Sequence, residues 1–71
     1  MDAAQEQLAA IRRLRAAGLL PDLPDKLREA ADLRLENEDL TLTELAALCE
    51  PPITKSSMSH RLHKLMELAG T

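Results

Sequence analysis

Thr41-Leu42-Thr43-Glu44-Leu45-Ala46-Ala47-Leu48-Cys49-Glu50, then Pro51-Pro52-Ile53-Thr54, then Lys55 to Ala69 (KSSMSHRLHKLMELA) is the stretch whose reading decides the fold. Thr41 and Glu44 have capping-box spacing: the Thr hydroxyl can accept from the backbone N–H three residues on, while the Glu carboxylate reaches back to the cap. A short helix should follow, with Leu42, Leu45, Ala46 and Cys49 on one side. Pro51 and Pro52 end it, since neither has a backbone N–H to donate and each restricts the residue before it. Thr54 should cap the next helix, whose inward stripe is Met58, Leu62, Leu65 and Ala69, spaced four, three and four apart. Two helices joined by such a corner read as a helix-turn-helix, in which the second helix lies in the major groove of DNA.

Working back from this unit, residues 2–17 read as a helix, with Ala4, Leu8, Ile11 and Leu14 at helical spacing and Arg12, Arg13 and Arg15 mostly off that stripe. Gly18 fits the position just past a helix end. Leu19-Leu20-Pro21 forms a connector, and Asp22 is read as the N-cap of a second helix with Pro24 and Asp25 in its first turn. Leu23, Leu27, Ala30 and Ala31 give that helix its apolar side, and it should fade near Glu36-Asn37. Gly70 stops the last helix. The expected fold is therefore all-α: a small four-helix domain over residues 1–71, with residues 1–40 as supporting helices and residues 41–69 as the helix-turn-helix.

Composition supports this. The chain is 71 residues long and 45% hydrophobic, yet holds no Phe, Tyr or Trp. Strands that cannot use aromatic cross-strand pairs are disfavoured, whereas Leu, Ala, Glu and Arg are good helix formers. The same absence removes the stacking platforms on which single-stranded bases are held. The single cysteine, Cys49, has no internal partner, and it is read as a small buried hydrophobe in a reducing, cytoplasmic setting. No apolar run is long enough to span a bilayer, and no targeting segment is visible.

The net charge of −3 is unevenly spread. Residues 1–50 carry six basic and eleven acidic groups, whereas residues 51–71 carry Lys55, Arg61 and Lys64 against Glu67 alone. The positive charge thus sits on the proposed reading helix. On a wheel of 100° per residue, Ser56, His60, His63 and Glu67 lie opposite Met58. Ser57 and Lys64 stand on one shoulder, and Ser59 and Arg61 nearer the flanks. Hydroxyl and imidazole groups in the centre suit base edges, and cations at the margins suit phosphates. The expected DNA contacts are Lys55, Ser56, Ser57, His60 and His63 at bases or nearby backbone, Thr54, Arg61 and Lys64 on phosphates, and Ser59 at the flank of the same surface. Partial protonation of the histidines near neutral pH would add modestly to phosphate affinity.

Polar outer faces are universal on amphipathic helices, so the face alone does not establish DNA binding. The corner and the local charge shift tip the balance. His60 and His63 are three apart, but no third ligand is placed beside them, so neither a metal nor another cofactor is expected. No nucleophile–base–acid set is placed by the sequence, so no enzyme activity is expected.

The run LPDKLREAADLRLENEDLTLTELAALCEPPITKSSMSHRLHKLMELA resembles the C-terminal helix-turn-helix domain of the WhiA sporulation and cell-division regulators, with a looser similarity to region 4 of bacterial sigma factors. The specific pieces are LPDKLREAADLRLEN, the L-T-x-x-E-L-A-x-L core, and PPITKS followed by a helix ending HRLHKL. A generic helix-turn-helix puts about ten residues between its alanine and the buried aliphatic of the reading helix, often with a turn glycine. Here Ala46 to Met58 is twelve and Glu50-Pro51-Pro52 replaces the glycine, a longer corner that the WhiA-like proteins share. The resemblance implies a bacterial, actinobacterial, transcription regulator that binds double-stranded DNA and is nucleoid-associated. It also implies a WhiB-type iron-sulfur coregulator and an RNA polymerase sigma factor as partners, and an N-terminal LAGLIDADG-like domain without nuclease function that would make this chain an excised fragment. The alternative expectation is a protein-interaction module that docks a sigma factor or a WhiB-type coregulator on the same scaffold.

Overall fold

A computed structural model describes residues 3–70, and every regular element among them is helical. α1 spans Ala3–Ala16, α2 Asp25–Glu36, α3 Leu42–Leu48 and α4 Lys55–Leu68, with one turn of 3-10 helix at Leu20–Asp22. The expected start of the first helix at Asp2 lies outside the described residues.

Each helix end follows from local chemistry. α1 closes in a Schellman arrangement: Leu19 N–H donates to Leu14 C=O at 2.9 Å and Gly18 N–H to Arg15 C=O at 3.0 Å. That loop needs a left-handed residue after the helix, which Gly18 supplies with φ 74°. The capping box at α3 is complete. Glu44 N–H donates to Thr41 Oγ1 at 3.2 Å, and Thr41 N–H donates to Glu44 Oε1 at 3.0 Å. These bonds, the one from the Thr41 backbone foremost, hold the Glu44 carboxyl below its ordinary range. Because the folded chain favours the carboxylate, this contribution to stability is present above the ordinary Glu range and is lost as pH falls through the lowered value. A Glu44→Gln chain should therefore show a shallower loss of helical signal through that acid window, readable by circular dichroism.

One cap is corrected. Asp22 does not open α2; it ends the 3-10 turn, and Pro24 is the N-cap, with no side-chain hydrogen bond. The prolines decide this. Pro21 sits in the first turn of the 3-10 helix, and Pro24 drives Leu23 before it into extended backbone, ψ 150°. Helical bonding then begins from Pro24 C=O, which accepts from Leu27 and Arg28 at 3.0 Å each.

The core is built from all four helices. Ile11 and Leu14 of α1, Ala30 and Ala31 of α2, Leu45 and Ala46 of α3 and Met58, Leu62 and Leu65 of α4 form one buried cluster, with Cys49 at its edge. α4 packs against each of the other three helices. The small side chains of Ala30, Ala31 and Ala46 lie in this cluster beside the longer ones of α4, which lets backbones approach.

Arg34, near the end of α2, is also buried. Its Nη1 reaches three backbone carbonyls of the following loop, Leu40 at 2.8 Å, Glu38 at 3.3 Å and Asn37 at 3.4 Å. The loop that delivers Thr41 to its cap is thus organised around one guanidinium.

Candidate nucleic-acid interface

The corner between α3 and α4 is tied at both ends. Ile53 N–H donates to Ala46 C=O at 3.0 Å, which folds the chain back onto α3 after the prolines. Thr54 then caps α4: Ser57 N–H donates to Thr54 Oγ1 at 3.1 Å, and the Thr54 hydroxyl donates to Ser57 Oγ at 3.0 Å. Thr54 therefore spends its own proton inside the protein, whereas the Ser57 hydroxyl keeps its proton for an outside acceptor.

A third tie comes from α2. Glu29 accepts from the Glu50 backbone N–H at 3.2 Å through Oε2 and pairs with Arg61 Nη1 at 3.7 Å through Oε1. One carboxylate thus joins α2, the corner and α4. Cys49 lies alongside. Burial pushes its thiol up, and the neighbouring Glu29 carboxylate adds to that, so the group remains a protonated thiol at neutral pH.

Met58, Leu62 and Leu65 point into the core, and the opposite side of α4 is open. Lys55, Ser56, Ser57, Ser59, His60, His63 and Lys64 are all exposed, and neither α1 nor α2 covers them. Arg61 is placed differently from its neighbours. Its side chain is only 17% exposed, because it turns along α2 toward Glu29. At the far end of the face Glu67 lies 3.3 Å from His63 Nε2 and 3.8 Å from Lys64 Nζ. Both contacts are exposed, so they lower the positive field of this end without locking either side chain.

That places an anion on the side of the helix where cations are otherwise presented. Replacing it by Glu67→Gln should raise affinity for any duplex about two- to fivefold at low salt, the size of an exposed charge pair, ~0.5–1 kcal/mol. The gain should fade as added salt screens the charge, and titration at two ionic strengths checks both parts.

The model for the WhiA C-terminal helix-turn-helix domain matches residues 1–69. The chain belongs to that family. It is 52% identical over 68 residues to a probable cell division protein WhiA of Symbiobacterium thermophilum, covering 96% of this chain and 22% of that protein. A protein of the same name from Lactococcus lactis subsp. cremoris is 49% identical over 65 residues, covering 92% of this chain and 21% of the relative. One from Staphylococcus epidermidis is 44% identical over 70 residues, covering 97% and 22%. The chain therefore spans about a fifth of the length of the curated relatives it matches. No solved structure matches it significantly.

The family domain is of a DNA-binding type rather than a catalytic fold. No helix among the described residues is long and apolar enough to cross a membrane. Among the same residues no group of three or more His, Cys, Asp or Glu could hold a metal ion.

Of the residues expected at the interface, Ser56, Ser57, His60, His63 and Lys64 share the open side of α4, Lys55 and Ser59 stand exposed on its other flank, and Thr54 and Arg61 are engaged within the protein. Sequence reasoning missed Glu29, whose role depends on contacts 21 and 32 residues away along the chain. It also missed Lys26, which lines an open groove with Pro24 and Leu27 on the α2 side and Ser56, Ser57, His60 and Arg61 on the α4 side.

Proposed function

We propose that this chain is the sequence-specific, double-stranded-DNA-binding domain of a bacterial transcription regulator of sporulation and cell division, with α4 in the major groove. The observation that carries the reading is the tied corner, held by the Ile53–Ala46 bond, the Thr54 cap and Glu29, which presents the cation-bearing side of α4 outward, with Ser56, Ser57, His60 and His63 uncovered beside Lys55 and Lys64. An α-helix presented this way fits the width of the major groove. The capped, cation-flanked N-terminus of α4 adds backbone N–H groups and dipole to the attraction for phosphate. Ser57, Ser56, His60 and His63 are the base-facing groups; Lys64 and Lys55 hold backbone. Thr54 shapes the helix start, and Arg61 is steadied by Glu29 at the margin.

Two substitutions separate these roles. Lys64→Ala should weaken binding to all duplexes alike and reduce the dependence of log K on log salt by about 0.9 per lost contact. Ser57→Ala should instead cost about 1–3 kcal/mol on the preferred site only and relax the choice of base there. Fluorescence titration against preferred and scrambled duplexes, at two salt concentrations, measures both. Salt-insensitive or absent duplex binding would move the function to docking of a sigma factor or a WhiB-type coregulator. The excess of acid over base in residues 1–50 would then mark the docking surface.

A further inference from the structure

The groove between α2 and α4 opens beside the Ser57 shoulder of the reading helix, and Lys26 stands on its α2 wall. Lys26 is exposed and forms no ion pair among the described residues. The acids nearest it on α2 are already neutralised, Asp25 by Arg28 at 2.6 Å and Glu29 by Arg61 at 3.7 Å. Lys26 is therefore the unpaired cation on this wall of the groove, beside the apolar surface of Pro24 and Leu27. Lys55 is likewise exposed and unpaired among the described residues. At about 100° per residue it lies on the opposite flank of α4, about 200° of helix rotation from Ser57. Two unpaired lysines thus bracket the outward face, one on α4 itself and one on a different helix.

The major groove is bounded by two sugar–phosphate strands about 12 Å apart. We infer that Lys26 grips a phosphate of one of these strands, with the sugar against Pro24 and Leu27, while Lys55 grips the other, so that α2 sets the angle and register of α4 in the groove. This rests on the proposed reading of α4 as the DNA-facing helix and extends it to a second element. Contacts of this kind position a protein on the duplex and carry no base information.

Because Lys26 is exposed, its replacement leaves the core untouched. Lys26→Ala should weaken every duplex by the same factor and lower the salt slope by about 0.9, so that a fourfold rise in salt costs the variant about 3.5-fold less affinity than it costs the parent chain. An iron chelate attached through Lys26→Cys should cleave one strand, and one attached through Lys55→Cys the opposite strand, at the two edges of the same groove segment. The native Cys49 is buried, so labelling is confined to the introduced thiol. If Lys26→Ala binds with the parent affinity and slope, or shifts base preference, or its chelate leaves the duplex intact while that at Lys55→Cys cuts, the inference is overturned and the reading of α4 stands. If the parent chain shows no salt-dependent duplex binding and neither chelate cuts, both fall together.

Discussion

Replacing Leu62 by alanine should remove about 2–5 kcal/mol of stability, the range for deleting a large aliphatic side chain from a packed interior. Leu62 is 1% exposed on the helix that packs against the other three, so no neighbouring segment is free to move in and fill the space. A chain of 71 residues has roughly 0.05–0.15 kcal/mol of stability per residue, or about 4–11 kcal/mol in all. The loss is therefore a large fraction of the whole. Urea unfolding should show a lower midpoint with an unchanged slope. Leu68→Ala, on the same helix but 48% exposed, should stay within about 0.5 kcal/mol of the parent. Equal losses at the two positions would contradict the division of α4 into a buried and an open side.

Arg34→Ala is the second large effect, at about 2–4 kcal/mol. The substitution strips the loop carbonyls of Asn37, Glu38 and Leu40 of a charged donor and empties the space of a buried aliphatic stem. Arg34→Met separates these contributions, because it keeps most of the stem and removes the donor. It should recover less than half of the loss. Hydrogen exchange provides a local reading: the amides of Leu45 and Glu44 should lose protection first, since the loop delivers the cap at Thr41. Full protection of these amides in the Met variant, with loss only in the Ala variant, would show that the stem, and not the guanidinium, organises the loop.

What was legible in the chain divides along the range of the interactions. The Thr41–Glu44 box, the glycine after α1, the cap at Thr54 and the α4 stripe all rest on residues within one or two turns of each other, and spacing reveals them. Asp22 shows the limit of that approach. A good cap residue stood beside two prolines, and the backbone restriction they impose outweighed one side-chain hydrogen bond. The burial of Arg34 continues the spacing of Leu27, Ala30 and Ala31, but its charge disguised it, because arginine is seldom fully buried without partners. The partners are carbonyls of an irregular loop, which no periodicity announces. The same holds for the interface. Which side of α4 faces outward could be read from the order of polar and apolar residues. That Arg61 turns to Glu29, and that Lys26 joins the groove, depends on how α2 crosses α4, which no spacing along the chain encodes.

The carboxylate of Glu29 touches the backbone just before the double proline and a guanidinium nearly two turns into α4. An insertion of the reading helix into DNA would therefore not start from a swinging arm. The orientation is set before the encounter, so little rotational freedom remains to be surrendered on docking, and free energy gained from contacts appears as affinity rather than being consumed by ordering. Such a probe is also unforgiving. If α4 reads DNA as proposed, a helix tied in this way has little room to adjust to an ill-fitting site, and mismatched duplexes should then be rejected by faster release.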